Sequence, residues 1–327
     1  MADVRTMEFE LPGFGGELLR PGDPGYDDAR TVFNGMIDRR PAVIARCTSA
    51  DDVAAAVNVA REQDIALSIY GGGHGVNGSA VVDAGICADL RTMNRVDVDP
   101  DQRIARVEGG AKWGAIDAST QEHGLAVTGG RMSDTGIGGL ALGSGSGWLE
   151  RKFGFACDNL VKAEVVTADG RQVIASEDEN ADLYWGLRGG GGNFGVVTAF
   201  HLRLHPVGPI LLAGQLMYPA PMAGDLLRFY RDFIVSAPDE VCGGIAFITP
   251  SCPTRRSTCS SGTPPSPSHP SARCSCSPEA ARSAASPRTP RPSGSGTLSG
   301  TCTISRCGTT RPKPTATSRI RASSRAR

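Results

Sequence analysis

Glycine sets the first constraint on this chain. It crowds into three stretches, residues 71–78, 129–147 and 189–195, and the short apolar run 65–70 leads into the first. Glycines this dense give up backbone order unless bare peptide N–H groups must come close to something, and an anion such as a pyrophosphate is the usual reason. In the first stretch, Gly71-Gly72-Gly73-His74-Gly75-Val76-Asn77-Gly78, a single imidazole is held beside whatever the loop binds.

Apolar patterning then limits how much of the chain can fold. Up to Pro250 the sequence is rich in Val, Leu, Ile and patterned aromatics; after it there is no Phe, Trp, Tyr, Val or Met, and only Leu298, Ile304 and Ile320 remain as large aliphatics. Such a tail cannot bury enough apolar surface to offset the entropy of ordering its backbone, so disorder is expected over residues 251–327. The formal net charge of +0 hides the same division: Glu279 is the one acidic residue of the tail, which is otherwise Arg-rich. The folded part is therefore acidic, which argues against nucleic acid as its partner.

Six of the 10 cysteines, Cys252, Cys259, Cys274, Cys276, Cys302 and Cys307, fall in the tail without zinc-like or disulfide-like spacing, and no metal site is expected. Cys47, Cys87, Cys157 and Cys242 sit in apolar surroundings and read as small core residues. The sequence starts without a signal-like apolar segment, and no run is long enough to span a bilayer, so a cytoplasmic protein off the membrane is expected.

Periodicity predicts an α+β chain. Residues 26–36 read as a short helix, 41–47 as a strand, and a helix opens at Ser49 as N-cap and carries Val53, Val57, Val59 and Ala60 inward. Residues 65–70 return as a strand, which puts the first glycine loop at the end of a β-α-β unit. Short strands follow at 80–82, 86–90, 93–98 and 104–107, then a helix over 112–123 with Trp113, Ile116 and Ala118 inward. Asp169-Gly170 makes a hairpin of 160–167 and 171–176. Residues 180–187 read as a helix. In the strand over 195–207, Phe200, Leu202 and Leu204 alternate with His201, Arg203 and His205, so both histidines are expected at the surface. A strand at 211–218, a helix at 222–234 and a strand at 243–249 begin a second, sheet-based domain, and no strand is expected beyond Pro250.

The pattern G-x-G-x-x-G occurs at Gly73-Gly75-Gly78 and Gly190-Gly192-Gly195, with G-x-G-x-x-A at Gly136-Gly138-Ala141. A dinucleotide fold of the nicotinamide type needs a long helix directly after such a loop. Short strands follow the first match and a strand follows the last, so that reading is disfavoured. No Walker A sequence occurs, and residues 143–147 miss the G-x-S-x-G register of a hydrolase.

Five motifs in order carry a more specific signal. They are Tyr70-Gly71-Gly72-Gly73-His74-Gly75; Thr135-Gly136-Ile137-Gly138-Gly139; Arg151-Lys152-Phe153-Gly154 with Cys157-Asp158-Asn159-Leu160; Asp182-Leu183-Tyr184-Trp185-Gly186-Leu187-Arg188 running through Gly192-Asn193-Phe194-Gly195-Val196-Val197-Thr198; and His205-Pro206-Val207. This series resembles the FAD-binding domain of the berberine-bridge-enzyme-like oxidases, within the vanillyl-alcohol-oxidase or PCMH-type superfamily. The resemblance implies a surface segment at 1–39, a PCMH-type FAD-binding domain of two α+β subdomains at 40–210, the start of a truncated substrate domain at 211–250, and a tail at 251–327.

By the same resemblance, Gly71, Gly72, Gly73 and Gly75 cradle the FAD pyrophosphate and His74 is bonded to the 8α-methyl of the isoalloxazine. Ser133, Thr135, Gly136, Gly138 and Gly139 form the facing wall, and Val197 lies near the adenine end. Some members add a second bond from a cysteine where this sequence has Met132, so one covalent link is implied, and Cys157 has no flavin role. The implied reaction is hydride transfer from a small hydroxyl- or amine-bearing molecule, a sugar or secondary metabolite, to flavin N5, with O2 as electron acceptor. A flavin-binding remnant without turnover, or a dehydrogenase using another acceptor, are the alternatives. The family's base and its Tyr-x-Asn segment come from the part that is not recognisable here, so no catalytic base is assigned.

Residues 251–327 read as a basic arm for anionic polymers, as a disordered extension, or as the product of a lost reading frame, and the last is favoured because the resemblance and the apolar patterning stop together near Pro250. Translation of the gene in its other two frames past that codon is expected to yield patterned strands ending in Tyr-x-Asn; frames without such a pattern would remove this explanation.

Overall fold

The structure, a computed structural model, describes residues 10–248 and the strand at 299–306. Two compact units divide the chain. The first opens with β1 (Glu17–Leu19), α1 (Tyr26–Ala29), β2 (Val43–Arg46), α2 (Ala50–Glu62), β3 (Leu67–Tyr70) and β4 (Ile86–Asp89). Strands run in the order β1-β2-β4-β3, with β2, β4 and β3 parallel and β1 antiparallel. The β-α-β unit is present, with β4 inserted between its two strands, and β3 is left as the edge strand that delivers the first glycine loop.

Sequence alternation decides which core each side chain joins. Val43 and Ala45 of β2 and Ile86 and Ala88 of β4 pack with Val53, Val57, Val59 and Ala60 of α2. Ile44 and Cys87 point to the other face, into a cluster with Leu19, Tyr26, Tyr70 and Val81. Each buried Val or Ile contributes about 1.5–3 kcal/mol relative to exposure. The predicted N-cap is in place: Ser49 Oγ accepts the Asp52 N–H at 3.2 Å. Asp52 is itself 2% exposed, and its carboxylate accepts the N–H of Gly15 at 2.6 Å and the N–H and hydroxyl of Thr48 at 2.8 and 2.7 Å. Burial works to raise this carboxyl, but those donors outweigh it and hold it below its ordinary value.

The helix predicted over residues 26–36 stops at Ala29. Tertiary bonds take the following backbone instead: the Phe33 N–H donates to Gly73 O at 3.0 Å, and the Tyr70 hydroxyl donates to Thr31 O at 2.6 Å. Residues 80–82 form no strand either; Val81 is a buried plug, 1% exposed.

The second layer is an antiparallel sheet of β5 (Val96–Asp99), β6 (Ile104–Glu108), β8 (Leu160–Val166), β9 (Gln172–Ser176) and β10 (Val196–Arg203), in the order β5-β6-β10-β8-β9. Its inner face packs on α3 (Trp113–Gln121), α4 (Ile137–Leu142) and α6 (Ala181–Leu187) through Trp113, Ile116, Ile137, Tyr184 and Leu187. Thr120, not Ala118, is the third inward residue of α3, its hydroxyl donating to Ile116 O at 2.9 Å. Around this layer run β7 (Leu125–Ala126), paired with β11 (His205–Pro206), and α5 (Glu150–Phe153). The four described cysteines are free and buried, as read from their surroundings.

His201 and His205 are not surface residues. His201 lies on the central strand, its Nε2 2.9 Å from Glu164 Oε1, and its side chain is 13% exposed. Arg106 closes the same group with two bonds of 2.8 Å to Glu164. His205 stacks on Phe153 at 4.1 Å, with Nε2 2.6 Å from Asn159 Oδ1. Alternation put both on the outer face correctly; cross-strand neighbours then half-cover His201, and Phe153 and Asn159, from a helix and a turn, half-cover His205, which one strand cannot show. Burial lowers the ring pKa of each below its ordinary value.

Among the described residues, the second unit holds 215–235, 244–248 and 299–303. β12 (Leu212–Pro219), β13 (Val241–Ile248) and β14 (Ser299–Arg306) form a sheet in the order β12-β14-β13. The helix α7 (Ala223–Ser236) follows the predicted spacing, with Leu226, Tyr230 and Phe233 half-buried and none of its residues buried. The strand β14 overturns the expectation that no strand lies beyond Pro250. Backbone pairing needs no apolar core, and Thr301, Thr303 and Ile304 are β-branched residues suited to extended chain. The rest of the disorder expectation falls on residues outside those described. No described helix is long and apolar enough to cross a membrane.

The Arg106 fork, with burial opposing and His201 assisting, holds the Glu164 carboxyl at about 2, against an ordinary 4.5. A depressed folded pKa gives stability that is whole above the unfolded value and lost as pH falls toward the folded one. The Glu164 contribution, about 2 kcal/mol after allowance for its partial exposure, is therefore expected to disappear between about pH 4.5 and about pH 2. Urea unfolding across that window should show Glu164→Gln less stable than wild type at neutral pH and level with it at the acid end.

Candidate functional site

Two loops meet backbone to backbone. A Cβ built on Gly72 would lie 2.2 Å from Gly136 N, and one built on Gly136 would lie 2.4 Å from Gly72 N. No side chain fits at either position, and this is the reason glycine is required there. Gly73 adds a positive φ of 68° and a Cβ position 2.5 Å from the Tyr70 hydroxyl. Tyr70 is itself pinned, since Arg91 lies over its ring at 4.0 Å and forks onto buried Asp89 at 2.7 and 2.8 Å.

The joined loops wall two neighbouring cavities. One, of about 320 Å³, is bordered by Gly71, Gly72, Gly73, His74 and Gly75 on one side and Thr135, Gly136 and Gly139 on the other. The second, of about 520 Å³, takes its walls from edge strand β3, Gly138 and Gly139, Val197 and Phe200, and the third glycine stretch at Gly191, Gly192 and Gly195. Ile69, Gly71, Ser79 and Gly139 border both. Of the sequence-predicted residues, Ser133 lines neither cavity; its carbonyl accepts the Gly114 N–H at 2.8 Å at the start of α3.

His74 is held at its edge and on a face. Its Nε2 lies 3.2 Å from Asp134 Oδ2, and Phe33 stacks on the ring with centroids 4.5 Å apart and planes 17° apart. Ser68 contributes a different feature. It borders the larger cavity, is 6% exposed, and its Oγ has no hydrogen-bond partner among the described residues. That oxygen is enclosed in the sheet, with Cys87 opposite it on β4.

Sequence reading did not single out Ser68, Asp134 or a binding role for the third glycine stretch. For the last, a signal existed: the two G-x-G-x-x-G matches, far apart in sequence, border adjoining cavities. For Ser68 and Asp134 there was none, since one lies in a strand and the other in a loop among residues of the same kind. Among the described residues no group of His, Cys, Asp and Glu is placed to hold a metal.

Known proteins match this arrangement. The FAD binding domain family matches residues 41–176. The (R)-6-hydroxynicotine oxidase of Paenarthrobacter nicotinovorans is 40% identical over 211 residues, 64% of this chain and 46% of that protein. The crystal structure of 6-hydroxy-D-nicotine oxidase from Arthrobacter nicotinovorans superposes with a TM-score of 0.74 at 30% identity, covering 92% of this chain and 58% of that one. A berberine-bridge-enzyme-like protein of Physcomitrella patens shares the fold, with a TM-score of 0.71 at 21% identity over 91% of this chain and 56% of its own. The chain thus spans about half the length of the relatives it matches.

Gly72→Ala must push two backbones apart, and a loss of about 2–3 kcal/mol is expected in urea unfolding. Gly139→Ala is the control: it sits in α4 with nothing within 4 Å of its Cβ. That change is expected to be neutral or to stabilise by up to about 1 kcal/mol.

Proposed function

We propose that this chain, whose residues 41–176 match the FAD binding domain family, holds FAD across its two cavities, bonded covalently at His74, and serves oxidation of a small hydroxyl- or amine-bearing molecule with O2 as acceptor. The observation that carries the reading is the convergence of all three glycine stretches on adjoining cavities, with one histidine on the wall. The residues fit a dinucleotide. Bare backbone at Gly71, Gly72, Gly73 and Gly75 faces Thr135, Gly136 and Gly139 closely enough for peptide N–H groups to meet a pyrophosphate. Val197, on the wall of the larger cavity, offers apolar surface to a purine.

When bound, FAD supplies the hydride acceptor and the route for electrons to O2. The chain's own part is to bind, to orient and to screen. Burial of β3 and β10 on the inner sides of the cavities keeps the site floor rigid and dry, and Phe33 fixes the His74 ring plane. The relative named for oxidising (R)-6-hydroxynicotine supports a small organic substrate. A second reading, flavin held without turnover, is supported by length: 46% of that relative is matched.

Visible spectroscopy of the purified full chain, followed by acid precipitation, tests the cofactor. A flavin spectrum with colour retained in the precipitate is expected; colour released to the supernatant overturns the His74 bond, and a colourless protein that does not take up added FAD overturns the assignment. Peroxide release over a panel of sugars, alcohols and amines then tests the oxidase. Substrate bleaching of the flavin with little O2 uptake would point to a dehydrogenase, and no bleaching with any of them to the remnant.

A further inference from the structure

The contact between Gly72 and Gly136 has a mirror property. His74 lies two residues after Gly72, and Asp134 lies two residues before Gly136. Two strands of loop that touch at one point bring the flanking side chains together, and Asp134 Oδ2 is 3.2 Å from His74 Nε2. Asp134 has no other ion-pair partner among the described residues. Phe33 covers the same ring, and its own backbone is tied by its N–H to Gly73 O at 3.0 Å.

We propose that Asp134 is the positioning residue for flavin attachment at His74, an inference that rests on the covalent linkage proposed above. With the carboxylate beside Nε2, the ring proton is held on that nitrogen and the lone pair that attacks is on Nδ1. The step forms a bond from Nδ1 to the flavin 8α-carbon and breaks one 8α C–H bond. The proton goes to solvent, and the electron pair of that C–H bond stays on the flavin, which is left reduced by two electrons. O2, the acceptor already named for the proposed reaction, takes that pair with two protons and leaves as H2O2. Bonding at Nδ1 while Nε2 keeps its proton makes the ring an imidazolium cation. Asp134 faces that new charge directly, and Phe33 offers it an aromatic face.

This assigns Asp134 an effect on the rate of attachment and none on the affinity for FAD. The test uses full-length wild type, Asp134→Asn, Asp134→Glu and His74→Ala, each prepared without flavin and mixed with FAD in air. Uptake is read by absorbance after desalting, and attachment by flavin fluorescence of the acid-precipitated protein on a denaturing gel. Asp134→Asn is expected to take up as much FAD as wild type and to attach it at least about tenfold more slowly, because the charge that meets the imidazolium is gone. Asp134→Glu is expected to recover a large part of the rate, which a structural role of the side chain amide or its size would not produce. Mixing without O2 should leave wild-type flavin bleached as it attaches, with His74→Ala keeping its colour. Attachment by Asp134→Asn at the wild-type rate, or no advantage of Glu over Asn, overturns the role of Asp134. Acid-labile flavin in the wild type instead overturns the His74 linkage itself.

Discussion

The candidate site depends on the touch of two peptide units at Gly72 and Gly136, where either Cβ would overlap the backbone opposite. The loops that carry these residues come from different layers of the first unit, one from the edge strand β3 and the other from the lead into α4. Neither loop has a hydrophobic side chain to anchor it at that point. What sets their separation is the packing behind them: Tyr70, buried and bonded to Thr31 O, on one side, and Ile137, fully buried in the second core, on the other. Rigid cores thus bring two soft segments to van der Waals contact and leave open space on either side.

That open space is the candidate cofactor site. A wall of glycine presents backbone and little else, so affinity there comes from many small contacts with an anionic or polar ligand. Side chains on these walls are few: His74, with Asp134 beside it, and Val197. The outer face of the five-stranded sheet follows a different logic. There Arg106, Glu164 and His201 satisfy one another across three strands, which stabilises the layer.

The two α+β layers were legible in the chain itself, because burial imposes a period of two on strands and a helical period on α2 and α3. The Asp169-Gly170 hairpin and the Ser49 cap are local events and were legible for the same reason. The errors share a cause too. Residues 30–36 have helical spacing but give their backbone to the glycine loop; Ala118 yields its inward place to Thr120; His201 is covered from other strands and His205 by Phe153 and Asn159; and β14 pairs through backbone without an apolar run. In each case a long-range contact overrode a local pattern.

By itself the sequence determined which residues could approach without side chains, where apolar patterning ends, and that one histidine would sit inside a glycine loop. Those properties are chemical and need no neighbour to exist. Only the tertiary structure decided that the three glycine stretches face one another, that Ser133 turns away toward α3, and that Asp134 stands beside His74. Such pairings depend on how two separately packed cores are joined through chain far apart in sequence, and no local pattern of residues encodes the distance between them.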